Sequence, residues 1–161
     1  MGVSGSGKTT VGRLLADRLG ATFIEGDAYH PAANVAKMER GEPLTDADRA
    51  PWLDALRAVI EELLERDATG VVACSALKAR YRERLHVDHP RVRLVYLEGD
   101  PPTIRARMEA RADHFMPPDL LRSQFEALEP PTDADVTVTI DQTPGEIVQA
   151  ICDGLNLNSG A

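Results

Sequence analysis

The sequence predicts a three-layer α/β sandwich, in which helices cover both faces of a central parallel sheet. Three observations support this fold class. Strand-like and helix-like patterns alternate along the chain, which favours parallel strands joined by right-handed crossovers. A glycine-rich loop directly precedes an amphipathic helix near the start. The 161 residues, 43% of them hydrophobic, are enough for a single domain over residues 1–161 with its own core.

The first half of the chain contains two predicted helices and one strand. Apolar residues at helical spacing indicate a helix from Thr9 to Leu19, and a short segment from Thr22 to Glu25 indicates a strand. Thr45 followed by Asp48 resembles a capping box, which commonly begins a helix. The amphipathic pattern that starts there ends near Gly70.

The second half again alternates between strands and helices. Asp100 and the two prolines after it mark the beginning of one helix. Ligands of parallel sheets bind at the carboxyl ends of the strands, so the residues that follow each strand are candidates for a site. The predicted strands are 71–74, 92–97 and 136–140, and the other predicted helices are 77–85, 120–128 and 144–155.

Composition and charge exclude several function classes. A net charge of −8 argues against nucleic acid as the main partner, because a phosphate backbone is bound by a surplus of Lys and Arg. Nine of the 18 basic residues lie between Lys78 and Arg111, so this region can bind a small anion unless its arginines are only solvated helix faces. We expect neither a membrane span nor a signal peptide. Two lone cysteines indicate a reducing, cytoplasmic location, and the four histidines lack metal-ligand spacing.

Residues 2–9 match the phosphate-loop pattern G-x-x-x-x-G-K-[ST] completely. Its glycines let successive N–H groups point at phosphate oxygens, and the following helix adds its positive N-terminal end. In this pattern Lys8 reaches the β- and γ-phosphates, and the Thr9 hydroxyl binds Mg²⁺. The alternative is a glycine-rich turn that only caps a helix. The pattern predicts the fold of P-loop nucleoside triphosphate hydrolases and kinases. The predicted ATP-binding residues are Gly2, Ser4, Gly5, Ser6, Gly7, Lys8, Thr9 and Thr10.

A buried strand normally precedes a phosphate loop, and here only Met1 precedes Gly2. In this fold that strand lies inside the sheet, so its loss leaves two neighbouring strands with unpaired backbone groups. We therefore expect the first strand to be missing from this chain, which is then truncated or has a misassigned start.

Further motifs extend the pattern beyond the phosphate loop. They are Gly26-Asp27-Ala28-Tyr29-His30-Pro31, Cys74-Ser75-Ala76-Leu77-Lys78, His114-Phe115 and Gln124-Phe125-Glu126. Together they resemble the gluconokinase family over nearly the whole chain. The chain departs from that family in its missing first strand and in Ala112-Asp113, where such proteins often carry a glycine.

The resemblance implies ATP-dependent phosphorylation of D-gluconate to 6-phospho-D-gluconate, with Mg²⁺ as cofactor. It also implies a small lid over about residues 111–122, and similar proteins are commonly homodimers. Two alternatives stay open. One is the same phosphoryl transfer to another small acceptor, such as shikimate or a nucleoside monophosphate, and the other is an ATP-binding module without turnover.

Asp27 follows a predicted strand, which places it at the carboxyl edge of the sheet. In similar kinases an aspartate at this point accepts or orients the proton of the attacking hydroxyl. The alternative is an N-cap for a helix that begins near Pro31.

The acceptor-side residues that the resemblance implies each have a structural alternative. His30 either hydrogen-bonds the acceptor or orients the turn before a proline. Arg49 either contacts the substrate or forms a surface salt bridge with Asp46 or Asp48. The implied acceptor-binding residues are Asp27, His30, Lys37, Arg49, Ser75, Lys78, Arg82 and His114, and solvent exposure is the alternative for Lys78 and Arg82.

Arg107 and Arg111 are four residues apart and therefore share a helix face. In related kinases such a pair flanks the lid, where one arginine stacks on adenine and the other neutralises the transferring phosphate. The implied catalytic residues are Lys8, Asp27, Arg107 and Arg111, and Arg107 is also assigned to the nucleotide.

Overall fold

The computed structural model describes residues 1–110 and 118–157. Its elements follow the predicted alternation, with bounds that differ from the prediction by a few residues. The helices are α1 (Lys8–Leu19), α2 (Ala32–Glu39), α3 (Asp46–Glu65), α4 (Ala79–Arg84), α5 (Pro101–Glu109), α6 (Pro118–Ala127) and α7 (Pro144–Gly154). The strands are β1 (Thr22–Glu25), β2 (Gly70–Ala73), β3 (Val95–Glu98) and β4 (Val136–Thr139), and a 3₁₀ turn spans Gly26–Tyr29.

The strands pair in parallel, as the alternation predicts, but in two separate pairs. β1 pairs with β2, with Thr22 opposite Gly70, and β3 pairs with β4, with Val95 opposite Val136. All four strands are short and connect through helices, so their carboxyl ends lie on the same side of the molecule. This confirms the α/β class.

Met1 and Gly2 join the two strand pairs. The amino group of Met1 donates to the Val95 carbonyl, and the Leu97 amide donates to the Met1 carbonyl at 3.0 Å. On the other side, the Gly2 amide donates to the Ser75 carbonyl just beyond β2 at 3.2 Å. The chain therefore enters the phosphate loop at the carboxyl ends of both pairs.

A cavity of about 470 Å³ lies alongside this junction, between β2 and β3. Side chains from α1 and from both strand pairs line it, among them Val11, Leu15, Val71, Val72, Val95 and Leu97. β2 and β3 do not pair with each other, and this cavity separates them beside the junction.

Local capping signals account for several helix ends. Thr45 and Asp48 form a complete capping box at the start of α3, as predicted, and Thr143 does the same with Glu146 at α7. Asp100 accepts a hydrogen bond from the Thr103 amide and so caps α5. Within residues 1–110 and 118–157, none of these helices is long and apolar enough to cross a bilayer.

The turn after β1 depends on a small residue. A Cβ added to Gly26 would lie 2.4 Å from the Ala73 carbonyl oxygen at the end of β2. We predict that Gly26→Ala lowers the free energy of unfolding by about 1–3 kcal/mol, because the backbone must move to relieve this overlap. Gly145→Ala is the matched control, since nothing lies within 4 Å of the added carbon. It should be neutral or stabilising by about 0.4–1 kcal/mol. Equal urea midpoints for the two variants would contradict the close approach at Gly26.

Candidate active site

The phosphate loop has the backbone conformation that its glycines make accessible. Gly2, Gly5 and Gly7 all have positive φ, at 148°, 80° and 93°. At Gly2 a Cβ would also lie 2.8 Å from the Leu97 carbonyl oxygen and from Ser6 Oγ. Gly7 is the N-cap of α1, and its left-handed conformation turns the backbone N–H groups of the first helical turn toward the loop. The sequence pattern therefore forms the predicted curled loop.

Two polar features of this loop lack partners of their own. In the described part of the chain, no side chain caps α1 and no acidic residue lies in its first turn. The hydroxyl of Ser6 is fully buried and has no hydrogen-bond partner among the described residues. A buried hydroxyl and a free helix N-terminus are both satisfied by an anion. The loop therefore fits a phosphate group, and this argues against a turn that only caps a helix.

Lys8 lies at the first position of α1, and its Nζ donates to the Val3 carbonyl at 2.9 Å. Burial lowers the pKa of Lys8, while the charges of Asp27, Cys74 and Glu25 raise it. Lys8, at the start of α1, and Asp27, in the turn after β1, therefore lie close enough for their charges to interact.

Asp27 lies exposed in the 3₁₀ turn directly after β1. It does not cap α2, whose N-cap is Pro31 without a side-chain hydrogen bond. The structure thus gives no support to the helix-capping alternative for Asp27. Its carboxylate has no hydrogen-bond partner within residues 1–110 and 118–157 and is exposed to an incoming ligand.

Trp52 holds the turn that carries Asp27. Its indole Nε1 donates to the Gly26 carbonyl at 2.8 Å, and its ring is 1% exposed. The ring of His30 stacks on it, with centroids 4.3 Å apart and planes 14° from parallel. Burial lowers the pKa of His30, the charge of Asp27 raises it and that of Arg49 lowers it. The sequence did not reveal this anchoring role, because a lone tryptophan in an amphipathic helix only indicates core packing.

Lys37 and Asp48 form an ion pair in which Lys37 Nζ lies 2.9 Å from both carboxylate oxygens. That bond, together with the amide and hydroxyl of Thr45, lowers the pKa of Asp48 to about 2. Arg49 instead donates to the Leu44 carbonyl and lies 5.7 Å from the ring centre of Tyr81. The predicted alternative of a salt bridge from Arg49 to Asp46 or Asp48 is therefore not what the structure contains.

Lys78 is the N-cap of α4, and its Nζ donates to Asp46 at 3.0 Å. The same carboxylate accepts hydrogen bonds from Arg80 and from the Tyr81 hydroxyl. These bonds, first that of Tyr81 and then that of Lys78, lower the pKa of Asp46 to about 2. Lys78 is half-buried, so simple solvent exposure does not describe it.

Arg82 is buried, with 6% of its surface exposed, so its predicted solvent-exposed alternative is wrong. Its Nη1 lies 3.0–3.2 Å from the carbonyl oxygens of Ala76, Leu77 and Glu129. It thereby ties the loop after β2 to the segment after α6. These contacts are structural, and they lend no support to the prediction that Arg82 binds the acceptor.

Helix α6 reaches the phosphate loop through Gln124. Its Oε1 accepts from the Ser4 amide at 2.7 Å, and its Nε2 donates to Ser4 Oγ at 3.1 Å. Leu120 and Leu121 are buried, so the C-terminal end of the predicted lid packs into the core. The guanidinium of Arg107 donates to the Ile140 carbonyl. Arg111 and His114 lie outside the described residues, so their predicted roles stay predictions.

Arg82 allows a direct test of its structural role. We predict that Arg82→Met lowers the free energy of unfolding by about 2–4 kcal/mol, because carbonyl groups around a buried cation lose their donor. Arg84→Met is the control, since Arg84 pairs with Asp54 on the surface. The free energy of unfolding of Arg84→Met should fall by about 1 kcal/mol or less. Guanidinium denaturation measures both variants, and an Arg82→Met protein as stable as Arg84→Met would contradict this role.

Known proteins resemble the chain in both sequence and structure. A family model for shikimate kinase matches residues 4–155. The thermosensitive gluconokinase of Escherichia coli K12 is 51% identical over 142 residues, which are 88% of this chain and 76% of that protein. The gluconokinase of Gluconobacter oxydans 621H is 47% identical over 140 residues, covering 87% and 79%.

A solved structure supports the same relationship. The crystal structure of a gluconokinase from Sinorhizobium meliloti 1021 superposes with a TM-score of 0.86 at 46% identity. The superposition covers 98% of this chain and 89% of that one. The chain therefore belongs to the family that the shikimate kinase model describes, and within it to the gluconokinases, as a phosphotransferase of the P-loop kinase fold.

Proposed function

We propose that this chain transfers the γ-phosphoryl group of ATP to the terminal primary hydroxyl of D-gluconate, giving 6-phospho-D-gluconate. The observation that carries the proposal is the position of Asp27. This exposed carboxylate follows β1 and lies near enough to Lys8 for its charge to raise the pKa of Lys8. The gluconokinases of E. coli and G. oxydans supply the identity of the acceptor.

The nucleotide end of the site is the phosphate loop. The backbone N–H groups at the start of α1, the buried Ser6 hydroxyl and Lys8 hold the phosphate oxygens. No cluster of three or more acidic, His or Cys residues able to hold a metal occurs among the described residues. The Thr9 hydroxyl, which lies exposed at the helix start, would be the protein ligand for Mg²⁺. The ion, when bound, would neutralise phosphate charge.

The acceptor end of the site is the surface between the 3₁₀ turn, α3 and the loop after β2. Asp27 orients the attacking hydroxyl and takes its proton, a role that depends more on position than on base strength. His30, Lys37 and Ser75 bind the hydroxyl groups of the acceptor. Arg49 and Lys78 face its carboxylate, for which a guanidinium and an ammonium are suitable donors.

Exclusion of water completes the mechanism, since a site open to water would hydrolyse ATP. We assign this to a lid over about residues 111–122, with Arg107, Arg111 and His114 closing over the transferring phosphoryl group. The packed Leu120 and Leu121 give the lid a fixed C-terminal end. Assembly as a homodimer and a cytoplasmic location stay predictions.

A panel of acceptors tests the proposed reaction. With ATP and Mg²⁺, D-gluconate should release ADP far faster than shikimate, a nucleoside monophosphate or water alone. Shikimate belongs in the panel because the matching family model carries its name. A coupled ADP-release assay gives the rates. Turnover with gluconate no greater than with water would end the substrate proposal, and preference for another acceptor would replace it.

Asp27 tests the mechanism. We predict that Asp27→Asn lowers kcat about 100-fold or more, because the attacking hydroxyl loses its proton acceptor. KM for ATP should change little, since the phosphate loop is intact. Asp17→Asn, on the exposed surface of α1, is the matched control and should keep wild-type kcat. Undiminished turnover in Asp27→Asn would contradict the role of Asp27.

Gln124 tests the link between α6 and the loop. We predict that Gln124→Ala raises KM for ATP about three- to tenfold, because two hydrogen bonds that order Ser4 are lost. KM for gluconate should change less than twofold. Gln149→Ala removes a surface contact on α7 and serves as the control. An equal rise in both KM values would show that Gln124 does not act on the nucleotide end.

A further inference from the structure

Four charged side chains, three positive and one negative, lie around one phenol ring on the proposed acceptor side. Arg49, Lys78 and Arg80 each place their charge 5.7–5.8 Å from the centre of the Tyr81 ring. Asp46 is the carboxylate that Lys78, Arg80 and the Tyr81 hydroxyl share. We call this set, Asp46, Arg49, Lys78, Arg80 and Tyr81, the Tyr81 cluster. It carries three positive charges and one negative charge, in a chain whose net charge is −8.

Both carboxylate oxygens of Asp46 accept hydrogen bonds from donors of this cluster. One oxygen accepts from Lys78 at 3.0 Å and from the Tyr81 hydroxyl, and the other accepts from Arg80. These donors come from residues 32–35 positions away along the chain. One carboxylate thus holds an ammonium, a guanidinium and a phenol together.

The helix that carries Asp46 does not depend on it for its start. Thr45 is the N-cap of α3, and Asp48 completes the capping box and pairs with Lys37. Asp46 is 43% exposed at its side chain, and exposed ion pairs contribute only about 0–1 kcal/mol to stability. The contacts of Asp46 therefore contribute little to the stability of the fold. They are better explained if the carboxylate occupies a site that binds a carboxylate ligand.

The cluster adjoins the turn that carries Asp27 through Trp52. Tyr81 packs in the same hydrophobic cluster as Trp52, and Trp52 stacks on His30 and donates to the Gly26 carbonyl. Lys78 lies three residues after Ser75, whose carbonyl binds the first amide of the phosphate loop. An acceptor whose hydroxyl lies at Asp27 can thus extend toward the cluster.

We propose that Asp46 is a resident carboxylate that occupies the acceptor's carboxylate site, and that the bound acid displaces it from Lys78, Arg80 and Tyr81. This inference rests on the proposed function and names the group of the acceptor that the cluster recognises. A polyol without a carboxylate cannot replace Asp46, so the exchange favours sugar acids over neutral sugars. The cost of the exchange is a weaker affinity for the acid itself.

Asp46→Asn is the decisive variant. It keeps the shape of the side chain but removes the competing charge, so an incoming carboxylate meets three cations without a rival. We expect KM for gluconate to fall about three- to tenfold, with KM for ATP within twofold of wild type. Calorimetry should show tighter gluconate binding by a similar factor, and glucitol, the uncharged alcohol of the same length, should gain no affinity.

Two further variants make the result specific. Asp54→Asn removes another exposed carboxylate of α3, which pairs with Arg84 outside the cluster, and should leave both KM values unchanged. Asp46→Glu keeps the charge and should keep KM for gluconate near wild type. A higher KM in Asp46→Asn would overturn the proposal in favour of Asp46 as a residue that positions the cations. An unchanged KM would place the cluster outside the acceptor site.

The failure of the proposed function is distinguishable from the failure of this inference. If wild type does not phosphorylate gluconate, the reaction assignment fails first, and the calorimetric comparison is then made with the acid that the acceptor panel selects. If no acid binds Asp46→Asn more tightly than wild type, the resident-carboxylate proposal is wrong whatever the reaction. Denaturation midpoints of all variants confirm that each comparison is made on folded protein.

Discussion

The structure depends on the hydrogen bonds by which Met1 and Gly2 join the two strand pairs. The Leu97 amide binds the Met1 carbonyl on one side, and the Ser75 carbonyl binds the Gly2 amide on the other. These bonds fix the start of the phosphate loop at the carboxyl ends of β2 and β3. The proposed site surrounds this junction, because the phosphate loop begins at it, the proposed catalytic carboxylate follows β1 and the proposed acceptor donors Ser75 and Lys78 follow β2.

Trp52 links the hydrophobic core to the turn that carries Asp27. Trp52 is buried against Leu56 and Tyr81 in one hydrophobic cluster, while its N–H holds the carbonyl of Gly26. The residue next to Gly26 is Asp27, so Trp52 positions the proposed catalytic carboxylate through the backbone of the turn. Tyr81 plays a comparable double role, with a ring in the core and a hydroxyl on Asp46. Precise placement of phosphoryl-transfer groups matters more than their basicity, which suits anchors of this kind.

Much of the fold and part of the site could be predicted from the sequence. Local signals were sufficient for the helices, for the capping box at Thr45 and for the phosphate loop, because each depends on residues close together in the chain. The pairing of the strands in two separate sheets, the bond from Arg82 to Glu129 and the bond from Gln124 to Ser4 could not be predicted, because each joins residues 40 or more positions apart. The structural alternatives for Arg49 and Lys78 were also wrong. Arg49 donates to a carbonyl and forms no salt bridge with Asp46 or Asp48, and Lys78 is paired with Asp46 and is not simply exposed. A sequence gives the charge of a side chain but not its partner.

The two ends of the site differ in how their polar groups are satisfied before a ligand arrives. At the nucleotide end, the Ser6 hydroxyl and the start of α1 have no side-chain partner among the described residues, so a phosphate gains bonds without breaking equivalent ones. At the acceptor end, Lys37 is paired with Asp48, and Lys78, Arg80 and Tyr81 are paired with Asp46. An acceptor that binds there replaces hydrogen bonds to these aspartates with hydrogen bonds of its own. Its affinity therefore depends on how closely its groups match the carboxylates that they displace. For the proposed reaction, this difference favours binding of the triphosphate through general features of phosphate and selection of the acceptor by the match of individual groups.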